Sequence, residues 1–101
     1  MQFSANIGFL YADLALPERI RAAKRDGFDA VECHFPYDIP VADMRAALEA
    51  TGLAMLGLNT RPGHVAAGDF GLAALAGRAE EARAAVREAV AYGAAMGAGA
   101  V

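Results

Sequence analysis

The chain has no tryptophan, one cysteine and few charges, 21% of its 101 residues. Each scarcity closes off a class of protein. A lone cysteine, Cys33, cannot form an internal disulfide, so the fold must rest on an apolar core and not on the cross-links of small secreted domains. Lysine and arginine number 9 against 12 acidic residues, a formal net charge of -3, and they form no basic stripe. Affinity for a phosphate backbone comes mainly from clustered cations that displace counterions, so no nucleic-acid partner is expected. No uninterrupted apolar run approaches the roughly 20 residues of a membrane span. The opening "MQFSANIGF" also lacks a basic region followed by a long apolar stretch. A cytoplasmic protein without a membrane contact is the expectation.

What the chain does have is apolar residues, 56% of the total, enough for one domain with one core over residues 1–101. From Phe3 to Leu10, Phe3, Ala5 and Ile7 alternate with Ser4, Asn6 and Gly8, the spacing of a strand with one apolar face. Pro17 suits the first turn of a helix, and Leu16, Ile20, Ala23 and Gly27 recur on one side of it. The pattern then restarts. Phe28 to Phe35 reads as a second strand, and Pro40 opens a helix with Val41, Met44, Leu48 and Thr51 on one face, closed by Gly52. Leu53 to Asn59 reads as a third strand. Arg78 to Met96 reads as a third helix with a stripe of Ala82, Val86, Val90, Gly93 and Met96, and "GAGAV" begins a fourth strand.

Strand and helix alternating, with glycine after each helix, is the grammar of βαβ units around a parallel sheet. Ligands of such sheets sit at the carboxyl ends of the strands. The alternation predicts that Val31, Cys33, Phe35, Leu56 and Leu58 face the helices. It leaves Asn6, Glu32, His34, Gly57 and Asn59 on the other face. A doubly covered parallel sheet is normally apolar on both faces, so polar residues on one face of three successive strands predict a barrel lumen lined for a small polar ligand.

Each of these residues has a structural alternative. Glu32 can pair with a cation, His34 can be a hydrogen-bonded core histidine, and Asn6 and Asn59 can satisfy loop backbone. Thr60 to Gly77 is long for a loop in a compact domain and reads as a segment folding over a ligand, with Asn59 at its root and His64 a candidate contact within it. Cys33 reads as a small buried hydrophobe. Phosphate-loop, dinucleotide and His-x-x-x-His motifs are absent, and no metal ligand or catalytic residue is assigned from the residues themselves.

Taken together, "FSANIGFLY", "GFDAVECHFPYD" and "LNTRPGHVAAGDFGLAALAGRAEEAR" resemble the hydroxypyruvate isomerase family, within the xylose isomerase-like sugar isomerase and epimerase group of TIM barrels. The resemblance runs the length of the chain. It implies an α/β fold, here the N-terminal part of a (β/α)8 barrel with about three βα units and the start of strand four. It also implies interconversion of an α-hydroxyaldehyde and an α-hydroxyketone, of the hydroxypyruvate and tartronate semialdehyde type, by proton transfer through an enediolate. The family's proton-transferring glutamates, and the residues holding its divalent ion (Mg or Mn), fall on later strands with no counterpart in this chain. What carries over is substrate binding at Asn6, Glu32 and Asn59, with His34 and His64 beside them as departures from the family pattern.

The leading expectation is therefore an isomerase acting on a small hydroxy-keto acid or sugar, its catalytic residues outside these 101, so that the chain alone is inactive. A 2-oxo-tetronate isomerase or another epimerase of the group is an alternative within the class. A non-catalytic half-barrel binding module is an alternative from a different class. Unpaired edges on strands one and four also put a homo-oligomer among the expectations. A barrel endonuclease of the same superfamily is disfavoured by the acidic balance.

Overall fold

The computed structural model describes residues 2–61 and 79–99. Within them the order is β1 (Ser4–Asn6), α1 (Leu16–Arg25), β2 (Ala30–Glu32), a 3-10 turn (Pro36–Asp38), α2 (Val41–Thr51), β3 (Ala54–Met55) and α3 (Ala79–Met96). The strands form one parallel sheet in the order β1-β2-β3, with Ala5 opposite Val31 and Val31 opposite Met55. α1 packs on α2 and α2 on α3. This is the predicted βα repeat, and no helix of the described residues is long and apolar enough to cross a membrane.

The core lies between sheet and helices. Ala5, Ile7, Val31, Cys33 and Met55 come from the strands and their extensions, and Ile20, Ala23, Met44, Ala47, Leu48 and Ala89 come from the helices. Burying one of the larger of these side chains contributes about 1.5–3 kcal/mol, so this one layer of contacts dominates the stability. No buried polar or charged residue interrupts it among the described residues.

Several boundaries and faces differ from the sequence reading, each for a physical reason. The first strand ends at Asn6 and not at Leu10, because the Asn6 carbonyl accepts from the N–H groups of both Phe9 and Leu10 and turns the chain. Phe3, on the apolar side of the alternation, is 59% exposed at the entry to the strand. Paired β2 is shorter than Phe28–Phe35, although single backbone bonds continue past it, from Cys33 N–H to Gly57 and from Asn59 N–H to His34. Phe35 leaves the helix face because it leads into the 3-10 turn, whose geometry breaks the alternation.

On the third strand, Met55 takes the helix side and Leu56 the opposite face; alternation resumes out of step, with Leu58 buried as expected. The stripe of α3 differs in its N-terminal part, while Gly93 and Met96 lie on it as expected. Ala85, Ala89, Gly93 and Met96 are buried, while Val86 and Val90 are exposed. Ala85, Ala89 and Gly93, four apart, share one face of the helix and form its packed side. Gly99 donates its N–H to the Met55 carbonyl at 3.1 Å, so the chain after α3 comes alongside β3 as a fourth strand would.

Gly52 closes α2 in the left-handed region, φ 73°, and donates to the Leu48 carbonyl. A Cβ there would meet nothing within 4 Å, so a side chain is opposed by backbone strain alone. Gly52→Ala should therefore lower stability by about 1–2 kcal/mol without disturbing packing, measurable as a lower urea midpoint at unchanged slope.

Candidate functional site

The register that buries Ala5, Val31 and Met55 under the helices turns the next row, Asn6 opposite Glu32, to the other face of the sheet. At the carboxyl ends of the strands that row opens into a cleft of about 200 Å³. Asn6, Glu32, His34 and Asn59 all line it, together with Cys33 and Leu58. Four of the five residues singled out in the sequence thus meet in one place. The fifth, His64, lies outside the described residues, as does most of the long segment from Thr60 to Gly77.

Each position is set by local chemistry. Asn6 folds back on its own loop: its Oδ1 accepts the Gly8 N–H at 3.0 Å, which fixes the carboxamide and leaves its amino group a free donor by this bond. The loop that follows is held by Arg19 of α1. Its guanidinium donates to the carbonyls of Leu14 (2.8 Å), Ile7 (2.9 Å) and Ala12 (3.1 Å). In the same loop Tyr11 takes a left-handed backbone, φ 59°, and its hydroxyl donates to Asp26 at 2.6 Å. Asn59 is held at both ends of its backbone, donating to the His34 carbonyl at 2.9 Å and accepting from the Tyr37 hydroxyl.

His34 is packed as a wall. Its ring meets Phe9 edge to face, 4.6 Å between centroids, and Phe35 at 5.8 Å. It also lies directly against Gly8, where a Cβ would overlap the imidazole. On its far side a second open cleft of about 430 Å³ runs between the β1–α1 loop and the 3-10 turn, bordered by Arg19, Asp38 and Ile39. His34 borders both clefts. The sequence reading missed this second cleft and the part played by Gly8, since neither the glycine nor the aromatics carry a motif.

Chemically, the strand-end cleft offers a carboxylate, two carboxamides and an imidazole, and among the described residues no lysine or arginine lines it. Such a set hydrogen-bonds the hydroxyl and carbonyl oxygens of a small polar molecule. The Cys33 thiol does not add a nucleophile, because burial pushes it up to about 12. Among the described residues no three His, Cys, Asp or Glu side chains converge to hold a metal ion.

Comparison with known proteins identifies the scaffold. The family model described as xylose isomerase-like TIM barrel matches residues 20–101. The chain belongs to the xylose isomerase-like TIM-barrel family. It is 43% identical over 96 residues to a 2-oxo-tetronate isomerase of Cupriavidus necator, covering 95% of this chain and 37% of that protein. It is 35% identical over 97 residues to the hydroxypyruvate isomerase of Escherichia coli, covering 96% and 38%.

Among solved structures it resembles a crystal structure described as AP endonuclease, family 2, from Brucella melitensis. The TM-score is 0.88 at 35% identity, over 96% of this chain and 38% of that one. The chain thus spans somewhat more than a third of the length of the barrel proteins it matches. Its parallel strands and flanking helices are the βα units of this family, and the polar cleft lies where the family's barrels bind ligands, at the carboxyl ends of the strands.

Two measurements check the site. Gly8→Ala should displace the His34 ring, abolish the ring-current shift that Phe9 imposes on it and cost about 1–3 kcal/mol, while adding His34→Ala should recover part of that loss. The second is pH. Burial raises the Cys33 thiol from 9.0 to about 12, and burial, with Glu88 nearby, raises the Tyr37 phenol from 10.0 to about 12; Tyr92 behaves alike. Between pH 9 and 12 the unfolded chain has released protons that the folded chain retains, so stability should be level below about pH 9 and fall as pH rises through this window, as read by denaturant titration at each pH.

Proposed function

We propose that this chain supplies three βα units and part of the substrate pocket of an isomerase that interconverts an α-hydroxyaldehyde and an α-hydroxyketone, of the hydroxypyruvate or 2-oxo-tetronate kind. The observation that carries the reading is the convergence of Asn6, Glu32, His34 and Asn59 on one cleft at the strand ends, in a chain 43% identical to a 2-oxo-tetronate isomerase.

Such an isomerisation moves a proton from one carbon to its neighbour while the carbonyl and hydroxyl exchange places. It needs a base, an acid, and groups that hold both oxygens in one plane. Asn6 and Asn59 suit the last task, as amides that donate to oxygens without exchanging protons. His34 donates or accepts at the ring edge of the cleft, and Glu32 accepts from a substrate hydroxyl. The proton-transferring pair and any divalent ion are assigned to strands that these residues do not include. An ion there would polarise the two oxygens. A cytoplasmic location and self-association through the open sheet edges belong to the same reading.

The endonuclease description of the Brucella protein supports a second reading less well. A phosphate backbone calls for cations, yet among the described residues the cleft presents Glu32 with no lysine or arginine beside it, in a chain of net charge -3.

The test is a titration of the 101-residue chain with hydroxypyruvate, followed by amide NMR. Shifts confined to Asn6, Glu32, His34 and Asn59 and saturating at millimolar ligand, about 4 kcal/mol of binding, are expected of a partial pocket. Shifts scattered over the surface, or none at the cleft, would overturn the assignment.

A further inference from the structure

A cluster of charged and aromatic side chains stands at the edge of the cleft and takes no part in the reading above. Arg61 donates from Nε to Glu88 of α3 at 2.7 Å and from Nη2 to Asp38 of the 3-10 turn at 3.1 Å. Its guanidinium lies 5.0 Å from the centre of the Tyr37 ring. Tyr37 meets Tyr92 of α3 edge to face at 5.6 Å, and the Tyr92 hydroxyl donates to the Ile39 carbonyl at 2.8 Å. The Tyr37 hydroxyl in turn donates to the Asn59 carbonyl.

An isolated surface ion pair contributes little, at most about 1 kcal/mol. This cluster differs in two respects. One guanidinium bridges carboxylates on two elements, 23 and 27 residues away in sequence, while lying over an aromatic ring, an arrangement that its planar fork of donors suits better than an ammonium. It also stands two residues after Asn59, whose N–H donates to the His34 carbonyl at 2.9 Å. The backbone of Asn59 is thereby pinned from three sides: by His34 through its N–H, by Tyr37 through its carbonyl, and by Arg61 through the chain that follows.

We infer that Arg61 is a positioning residue: its bridge from Asp38 to Glu88 across Tyr37 fixes Asn59 against His34 and so sets where the Asn59 carboxamide stands in the cleft. The functional meaning of this rests on the ligand role proposed for Asn59; the geometry does not. The carboxamide has to be placed by its backbone because β3 pairs only over Ala54–Met55, and Asn59 lies four residues beyond. Beyond Met55 only single backbone bonds, such as its own to His34, tie it to the neighbouring strand.

The experiment compares amide hydrogen exchange at Asn59 with exchange at Ile7 and Leu56, which donate to Glu32 and Val31 in the same sheet. In Arg61→Met, exchange at Asn59 should quicken about tenfold while Ile7 and Leu56 stay within about twofold. Arg61→Lys should give most of the same loss, since it keeps the charge without the fork. Glu88→Gln and the unsubstituted chain in about 0.5 M salt serve if Arg61→Met fails to fold, and each should loosen Asn59 alone.

Unchanged exchange at Asn59 would overturn the inference, and so would equal acceleration at all three amides, which marks a general contribution to stability. Hydroxypyruvate titration of the same samples keeps the two ideas apart. Local loosening in a chain that takes up no hydroxypyruvate leaves Arg61's role standing and removes the ligand reading. Binding that persists with Asn59 exchange indifferent to Arg61 does the reverse.

Discussion

The row Ala5–Val31–Met55 is the constraint on which the rest of the molecule depends. These three side chains face each other in parallel register and are sealed by α1, α2 and α3. In a strand the side-chain period is two, so once that row is committed to the helices the next has no choice of face. Asn6 and Glu32 are presented on the opposite side of the sheet because Ala5 and Val31 are buried. A slip of one residue in either pairing would bury a carboxylate and expose the valine. The polar face is therefore held by the hydrophobic effect acting on its neighbours, with no need for polar contacts across the row itself.

The strands are short, two or three paired residues each, and the site begins where they end. There the ladder gives way to single backbone bonds, and the remaining N–H and C=O groups must be satisfied by other means. The solutions are all local to the cleft. Asn6 uses its side chain, Arg19 supplies three donors to one loop, and Tyr37 and Tyr92 use their hydroxyls on carbonyls of neighbouring segments. The side chains that complete the fold at its upper edge thus also fix the geometry of the pocket. Replacing them for stability alone would move the residues that meet a ligand.

How much of this was legible in the sequence follows from which signals are periodic. The strand-helix order, the glycine stops and the gathering of Asn6, Glu32, His34 and Asn59 on one face could be read because alternation and helical spacing report burial directly. The misread positions are those where period and burial part company. Val86 and Val90 look like the core stripe of α3 by hydropathy, yet alanines and a glycine form its packed side. Leu56 falls on the wrong face because alternation on the third strand shifts between Met55 and Leu58. Gly8 under His34, the Arg19 loop and the Arg61 bridge join residues far apart in the chain through contacts that have no period at all. Nothing in a linear pattern marks them.

The open sheet face carries the remaining step. Glu32 and Asn59 are exposed on it here, Leu56 stands 46% exposed in the same row, and among the described residues no cation lines the cleft. A carboxylate in that position is tolerable beside water and costly once a barrel closes over it, unless a hydrogen-bonding or cationic partner arrives with the closing strands. The chain spans little more than a third of the length of its barrel relatives, so most of a lumen wall in such a barrel would be built from elsewhere. The two requirements coincide. The strands that enclose Leu56 must also bring the groups that answer Glu32, so enclosure of the core and completion of the charge balance at the site would be one event, with the cleft in these βα units already set to one half of it.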